Sequence, residues 1–195
     1  MVYTPTMDRL AKIFGSPARL RLLRLFLFNQ DTSFTIAEAA GRSSLEGATV
    51  RRELTELVAI GLLNKKGTRT VARYQVNPRF EHLAAFERFI RDTTVLSSSR
   101  ILTALKRAGT LRVIALSGLF TGALEAQVDL LVAGDNIDTR ALAKAVRALE
   151  AELGREIRYA TFETPDFRYR LGVYDRLLRD VFDYPHRLLV DRIGL

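Results

Sequence analysis

The spacing of hydrophobic residues changes from helical to alternating at Gly61, and this change constrains the fold strongly. Before Gly61, four apolar residues fall on one stripe of an ideal helix: Val50, Leu54, Leu57 and Val58. Gly61 itself occupies the position at which helices commonly end. After it, Tyr74 and Val76 alternate with polar residues, as in a strand with one buried face. We therefore expect a helix that leads into a β-hairpin with a basic tip, formed by Lys65, Lys66, Gly67 and Arg69.

Capping signals predict further helices before this one. Ser16 and Pro17 provide an N-cap residue and a proline for the first helical position. A short helix is predicted over Thr35–Ala40, ended by Gly41. The segment Ser43–Glu46 fits the capping-box pattern, a serine followed three residues later by a glutamate, and predicts the start of the helix that ends before the hairpin.

This order of elements resembles that of the winged helix-turn-helix regulators of the ArsR/MarR type. The most specific part of the match is the run TVRRELTEL, followed after three residues by GLL and the basic hairpin. The resemblance covers about residues 8–80, and it implies a DNA-binding domain, which we assign to residues 1–78. In such domains the N-terminal part of one helix faces base edges in the major groove.

Helical geometry predicts which side chains contact DNA. Arg52 points away from the apolar stripe and could bind guanine through two hydrogen bonds, while Thr49 could contact a base edge or a thymine methyl group. Lys65 and Lys66 are better suited to phosphate. A solvated basic helix face remains an alternative, and the same fold also docks proteins. The predicted DNA-binding residues are Ala48, Thr49, Arg51, Arg52, Thr55, Lys65, Lys66 and Arg69.

The distribution of charge agrees with a polyanionic partner for the first half of the chain. Residues 1–91 hold 15 Lys and Arg against 8 Asp and Glu, a balance of +7, whereas residues 92–195 hold 15 against 14, a balance of +1. Such asymmetry favours double-stranded DNA as the partner of the first half, although a solvated basic surface would also account for it.

Composition excludes several other classes of function. There is no cysteine, and the two histidines, His82 and His186, are too few for a typical zinc site. We therefore expect no metal, no cofactor and no metal sensing. Met1–Arg9 does not resemble a signal peptide, and no apolar run approaches the roughly 20 residues that span a bilayer, so we expect a cytoplasmic protein without membrane contact.

Residues 79–108 are predicted to form linker and dimerisation helices. Regulators of this type mostly bind DNA as two-fold dimers, and a homodimer is expected here. Four apolar residues crowd the first of these helices, predicted over Arg79–Arg91: Phe80, Phe86, Phe89 and Ile90. The competing account is that they pack on the DNA-binding domain or between the two domains.

After Gly109 the pattern becomes one of strands alternating with helices, which favours an α/β domain at residues 109–195 and an α+β class for the chain. Strands are predicted at LRVIALSG, Ala126–Val132, Arg155–Phe162 and RLLVDR, and helices at Thr139–Leu153 and from Thr164 to about Asp183.

This second half resembles the minimal nucleotidyltransferase domain. That family has a strand leading into Gly-Ser-x-x-x-Gly, then a strand bearing Asp-x-Asp, and a third acid on a later strand. The resemblance implies a glycine turn that holds a triphosphate and carboxylates that hold two metal ions. It places the nucleotide pocket at Ser117, Gly118, Gly122, Gln127 and Asp129.

The chain departs from that family at the residues that carry the chemistry. The Gly-Ser pair is reversed, Gln127 replaces the first acid of Asp-x-Asp, and the middle of the third strand has no acid. We therefore expect a degenerate domain with no catalytic residues, which serves in dimerisation or binds a partner or ligand. Asp129 has an alternative role as a strand-edge residue bonded to the Ser117–Gly122 backbone.

Two functions from different classes follow. The first is a transcriptional regulator whose second domain is an inactive nucleotidyltransferase shell. The second is an active nucleotidyltransferase that its winged helix directs to a target. A third, a nucleotide sensor without chemistry, would keep the same pocket. The missing acids favour the regulator.

Overall fold

The computed structural model of the protein describes residues 9–68, 71–123 and 125–195. Over these residues the chain is a mixed α+β structure with nine α-helices and two small β-sheets. It divides into two compact units. The first comprises the described residues up to Val95 together with Glu150–Arg155, and the second comprises Leu96–Leu149 together with Glu156–Leu195. None of the described helices is long and apolar enough to cross a membrane.

The first unit contains four helices, a two-stranded antiparallel hairpin and a fifth helix. In chain order these are α1 (Arg9–Ile13), α2 (Pro17–Leu27), α3 (Ile36–Ser43), α4 (Gly47–Ala59), β1 (Leu63–Lys66), β2 (Arg73–Val76) and α5 (Leu83–Thr93).

Helix α2 begins where Ser16 and Pro17 predict it, and it forms the centre of this unit. The Ser16 hydroxyl accepts hydrogen bonds from the backbone N–H groups of Ala18 and Arg19 at 3.1 and 3.2 Å. The helix is apolar over most of its surface because it packs against α1, α3, α4 and α5. Its buried apolar residues are Leu20, Leu22, Leu23, Leu25, Phe26 and Leu27.

The capping box lies at a different helix from the one we predicted. Ser43 is the buried last residue of α3, and its hydroxyl donates to the Ala39 carbonyl, so it cannot cap α4. Glu46 is instead the N-cap residue of α4 and makes no side-chain capping bond. The reciprocal pair stands at the start of α3, where Thr35 accepts from the Glu38 N–H and Glu38 accepts from the Thr35 N–H.

Of the two glycines predicted to end α3 and α4, one does and one does not. Gly41 lies inside α3, which continues to Ser43 and ends as Ser44 takes a left-handed conformation with φ of +52°. A glycine costs a helix only about 1 kcal/mol relative to alanine, so tertiary packing overrides it. Gly61 follows α4 with φ of +78°, the conformation expected of a glycine after a helix.

The hairpin has the predicted alternation. Tyr74 and Val76 are buried, whereas Arg73 and Gln75 are half-buried. Tyr74 also pairs with Phe34 through two backbone hydrogen bonds of 2.8 Å, which ties the hairpin to the segment before α3.

Helix α5 begins at Leu83, four residues later than predicted, because His82 takes a left-handed conformation that starts the helix after it. Ile90 is fully buried, and Phe80 and Phe86 are half-buried against the core of the first unit. These three residues therefore pack on the core of the first unit, as the alternative to a dimer interface predicts. Phe89 remains 44% exposed.

The second unit contains α6 (Ser98–Leu105), β3 (Thr110–Leu116), β4 (Leu130–Asp135), α7 (Thr139–Leu153), β5 (Tyr159–Glu163), α8 (Thr164–Gly172), α9 (Arg176–Phe182) and β6 (Arg187–Asp191), with the last residues of α7 belonging to the first unit. The boundary between the units thus divides the predicted linker of residues 79–108, since α5 and α6 fall on different sides of it.

The second sheet has the strand order β5-β4-β3-β6. Strand β3 pairs antiparallel with both β4 and β6, and β4 pairs parallel with β5. One hydrophobic core of the unit forms between this sheet and helices α8 and α9. Its buried members are Val113, Ala115, Val128, Leu131, Ala133, Phe167, Leu178 and Val181.

Two strands begin later than predicted. Strand β4 starts at Leu130 and not Ala126, so Gln127 and Asp129 precede it, and β5 starts at Tyr159 and not Arg155. Where the two strands begin, the Arg158 N–H donates to the Asp129 side chain at 2.9 Å, so a side chain takes up a donor that regular strand pairing would use.

The helix predicted from Thr164 to Asp183 is two helices, because Tyr174 interrupts it in a left-handed conformation with φ of +55°. Asp175 then caps α9 by accepting from the Leu177 and Leu178 N–H groups. An aspartate after a glycine-containing segment is the sequence signal that marks this break.

Candidate functional site

The exposed face of α4 is the first candidate site. Val50, Leu54 and Leu57 are buried, which orients the helix. Four predicted DNA-binding residues lie exposed on the other side and a fifth, Thr49, is half-buried; the exposed four are Ala48, Arg51, Arg52 and Thr55. The structure therefore gathers these predicted residues on one solvent-facing surface of one helix.

The N-terminus of α4 is open. Its N-cap residue, Glu46, makes no side-chain capping bond, and nothing lies within 4 Å of the position of a Cβ atom added to Gly47. The first N–H groups of a helix have no intrahelical partner and carry the positive end of the helix dipole. The α4 N-terminus therefore offers an approaching anion both unpaired N–H donors and a favourable dipole.

A buried glutamate lies beneath this face. Glu53 is 2% exposed, and its Oε2 accepts from Nε of Arg19 on α2 at 2.8 Å. Its Oε1 lies 3.4 Å from Nη2 of Arg52. Sequence reasoning missed Glu53, because an acid inside a polar-looking run gives no sign that it points inward. Its spacing was the available signal, because Glu53 lies three residues after Val50 and four before Leu57 and therefore falls on the buried side of the helix.

The hairpin tip carries Lys65 and Lys66, which are both exposed, as predicted for phosphate contacts. Arg69, also predicted there, lies outside the described residues. Gly67 has φ of +93°, and a Cβ atom there would collide with the Val71 carbonyl oxygen, so the turn requires glycine.

The second candidate site is the predicted nucleotide pocket in the second unit, and Asp129 is its centre. Asp129 is 2% exposed, and its carboxylate accepts from Nε and Nη2 of Arg158 at 3.0 and 2.8 Å. It also accepts from the backbone N–H of Arg158 at 2.9 Å and of Leu119 at 2.8 Å. Burial raises the pKa of Asp129, and the hydrogen bonds from Arg158 and Leu119 lower it. The hydrogen bonds have the larger effect, so the pKa lies below its ordinary value.

The glycine turn is closed around this carboxylate. The Ser117 N–H donates to the Asp129 carbonyl at 2.9 Å. The Leu119 N–H donates to the carboxylate, and the N–H groups of Phe120, Thr121 and Gly122 bond within the turn. Gly118 has φ of +48°, and a Cβ atom there would meet the Asp129 carboxylate oxygen. Within this turn, the carboxylate takes the place at which a bound anion would accept from the Leu119 N–H.

The other predicted pocket residues do not converge on Asp129. Gly122 is exposed with open space around it, and Gln127 is exposed with its N–H bonded to the Asp180 carboxylate at 2.7 Å. Glu163 lies at the opposite end of the parallel pair β4 and β5, about 13 Å along the strand from the Asp129 end by strand rise. It accepts from the N–H groups of Asn136 and Ile137.

Among the described residues, no group of three or more His, Cys, Asp or Glu side chains is arranged to hold a metal ion. The residues that sequence reasoning missed at this site are Arg158 and Asp180. Arg158 was visible in the sequence at the middle of the expected third strand, where the resemblance to a nucleotidyltransferase predicts an acid. A cation in the place of an acid was the signal that Asp129 has an internal partner.

No protein-family model matches the chain, and no curated protein matches it. Among solved structures, the YusO protein from Bacillus subtilis is similar to this chain over 52% of its residues and 78% of the YusO chain, with 20% identity and a TM-score of 0.33. Similarity at that level carries no argument about function.

Proposed function

We propose that the protein is a DNA-binding transcriptional regulator. In this proposal the first unit is a winged helix-turn-helix domain, with α4 as the recognition helix and the β1–β2 hairpin as the wing. The second unit is a nucleotidyltransferase-like domain that performs no transfer and serves in dimerisation or in binding a partner or ligand.

The observation that carries the proposal is the exposed face of α4. Arg51, Arg52 and Thr55 face solvent on a helix whose other side is buried in the core. Arginine is suited to guanine, whose O6 and N7 accept two parallel hydrogen bonds in the major groove. An α-helix fits that groove, and the arginines lie in the first half of α4, the part that reaches base edges in such domains.

Phosphate binding has separate support from the surroundings of this face. Lys65 and Lys66 are exposed on the hairpin that follows α4, and the α4 N-terminus offers uncapped N–H groups. The excess positive charge of the chain also lies in residues 1–91. Contacts of this kind position a protein on the duplex and make its affinity depend on salt.

The saturation of Asp129 supports the absence of transfer in the second unit. Two-metal catalysis needs carboxylate oxygens that are free to bind cations. Both oxygens of Asp129 already accept hydrogen bonds from Arg158, and one also accepts from Leu119. The guanidinium of Arg158 therefore takes up the carboxylate oxygens that would have to hold a metal ion.

The test is a binding titration with a pool of duplex genomic fragments, followed by fluorescence anisotropy at several salt concentrations. We expect Arg52→Ala to weaken binding to selected fragments by about 1–3 kcal/mol and to relax their sequence preference. Arg88→Ala is the matched control, because Arg88 is exposed in the same unit but lies on α5, paired with Asp92. Wild-type protein that binds no duplex at about 50 mM salt would refute the proposal, since electrostatic binding is strongest there.

A further inference from the structure

The buried carboxylate of Glu53 joins the interior of the first unit to its exposed α4 face. A carboxylate at 2% exposure requires partners, because burial removes its hydration. Arg19 meets that need from α2 with the 2.8 Å contact to Oε2, and the Arg19 side chain is itself 35% exposed. This pair fixes α4 against α2.

The second contact of the same carboxylate has a different character. Oε1 of Glu53 lies 3.4 Å from Nη2 of Arg52, whose side chain is 71% exposed. An ion pair with so exposed a partner adds little to folding stability. It does restrict where the guanidinium lies, because the carboxylate is anchored in the core and cannot follow a moving arginine.

We propose that Glu53 is a positioning residue that orients Arg52 for contact with a base edge; this inference rests on the proposed DNA-binding function. The planar guanidinium carries several N–H donors, and Glu53 accepts from one of them, so the outward donors remain for a base. An arginine already held near its bound orientation loses less conformational freedom on binding. Glu53 thereby supports discrimination between bases, whereas phosphate attraction depends on charge alone.

Two variants separate positioning from a purely structural role. Glu53→Gln removes the charge that both arginines share at nearly constant volume. Arg19→Gln removes the ion pair between α2 and α4 but leaves the contact of Glu53 with Arg52. A structural role predicts that both variants change binding alike, through stability. The positioning role predicts that only Glu53→Gln changes the base preference.

The experiment selects binders from duplexes with a randomised central segment and compares preferences at each base pair among four proteins: wild type, Arg52→Ala, Glu53→Gln and Arg19→Gln. We expect Arg52→Ala and Glu53→Gln to lose about tenfold of the preference at the same base pair, within the range of a bidentate contact. Arg19→Gln should keep it. The dependence of affinity on salt should stay unchanged in Glu53→Gln, since no phosphate contact is lost.

A second measurement needs no change at Glu53. Nitrogen-15 relaxation of the arginine side chains in the free wild-type protein should show Arg52 more ordered than Arg51, which is exposed one residue away on the same helix. Equal order at the two side chains, or an unaltered base preference in Glu53→Gln, overturns the inference while the proposed function stands. Absence of duplex binding by the wild type overturns both.

Discussion

Replacement of Asp129 by asparagine tests the central claim about the second unit, that its acid serves structure. The carboxylate accepts four hydrogen bonds, from Leu119 N–H, Arg158 N–H and the Nε and Nη2 groups of Arg158. Asparagine keeps one oxygen acceptor, but its NH₂ group replaces the other oxygen and would face N–H donors of Arg158 or Leu119. The variant therefore loses the charge and leaves donors without acceptors at a buried position.

The expected cost follows from the exposure of the two partners. Removing one member of a buried ion pair typically costs 3–5 kcal/mol. The Arg158 side chain is 49% exposed, so water can solvate it once its partner is gone, and the cost falls below that range. We expect a loss of about 2–3 kcal/mol, which for a unit of this size lowers its Tm by about 10–20 °C. Asp183→Asn is the control, because its pair with Arg179 is exposed on both sides and contributes about 0.3–0.5 kcal/mol.

The pH dependence of this loss has a definite sign. Burial raises the pKa of Asp129, but its bonds to Arg158 and Leu119 outweigh burial, so that the folded-state pKa lies below the ordinary value of 3.8. The carboxylate therefore stabilises the fold fully above that ordinary value, and its contribution disappears as the pH falls through the lower folded-state value. The difference in unfolding free energy between wild type and Asp129→Asn should be constant down to about pH 5 and shrink below pH 3.8.

The assay is urea denaturation followed by circular dichroism, with amide hydrogen exchange of the segments around Leu119 and Arg158 as the local measurement. We expect faster exchange in both segments of Asp129→Asn and unchanged exchange in the first unit. The reasoning is refuted if Asp129→Asn is as stable as wild type at neutral pH, or if its stability deficit grows on acidification.

Three further predictions follow from the first unit and from the chain as a whole. Lys66→Ala should weaken duplex binding for all sequences alike and reduce the salt slope by about one, as measured by anisotropy. Gly154→Ala should destabilise the first unit more than Gly15→Ala, as measured by urea denaturation. Both glycines have positive φ, but only at Gly154 would an added Cβ atom collide with backbone, 2.5 Å from the Arg24 carbonyl carbon. The protein should be a homodimer by light scattering at micromolar concentration, and Phe89→Asp should make it monomeric if the exposed face of α5 forms the interface, since a charge in an apolar interface is costly.

The sequence predicted the element order of the first unit well because periodicity there is strong and uninterrupted. The stripe of Val50, Leu54 and Leu57 fixes the orientation of α4, and with it which arginines face solvent. Capping was predicted less well. Ser43 and Thr35 both stand three residues before a glutamate, and only the tertiary packing of α3 decides that Ser43 ends one helix and does not begin the next.

In the second unit, side-chain chemistry displaced the predicted strand limits. Gln127 and Asp129 alternate with apolar residues, a pattern that predicts a strand, yet the strand begins only at Leu130. The residue that bonds Asp129 just before this late start, Arg158, lies 29 residues away in sequence. The alternative that Asp129 bonds to the Ser117–Gly122 backbone is confirmed by the Leu119 N–H bond, whereas no periodicity in a single sequence reports the pairing with Arg158.

The geometry around Asp129 also shows which structural changes nucleotidyl transfer in the second unit would require. The carboxylate would have to release Arg158 and the Leu119 N–H to accept metal, and each release exposes donors that the fold now satisfies. A second acid would have to approach from beyond the present strand ends, since Glu163 lies at the far end of β5 and already binds two backbone N–H groups. The free energy lost in Asp129→Asn measures the resistance to the first of these changes, the release of Arg158 and the Leu119 N–H. A large loss means that the charge pair of Asp129 and Arg158 stabilises the closed loop around Leu119.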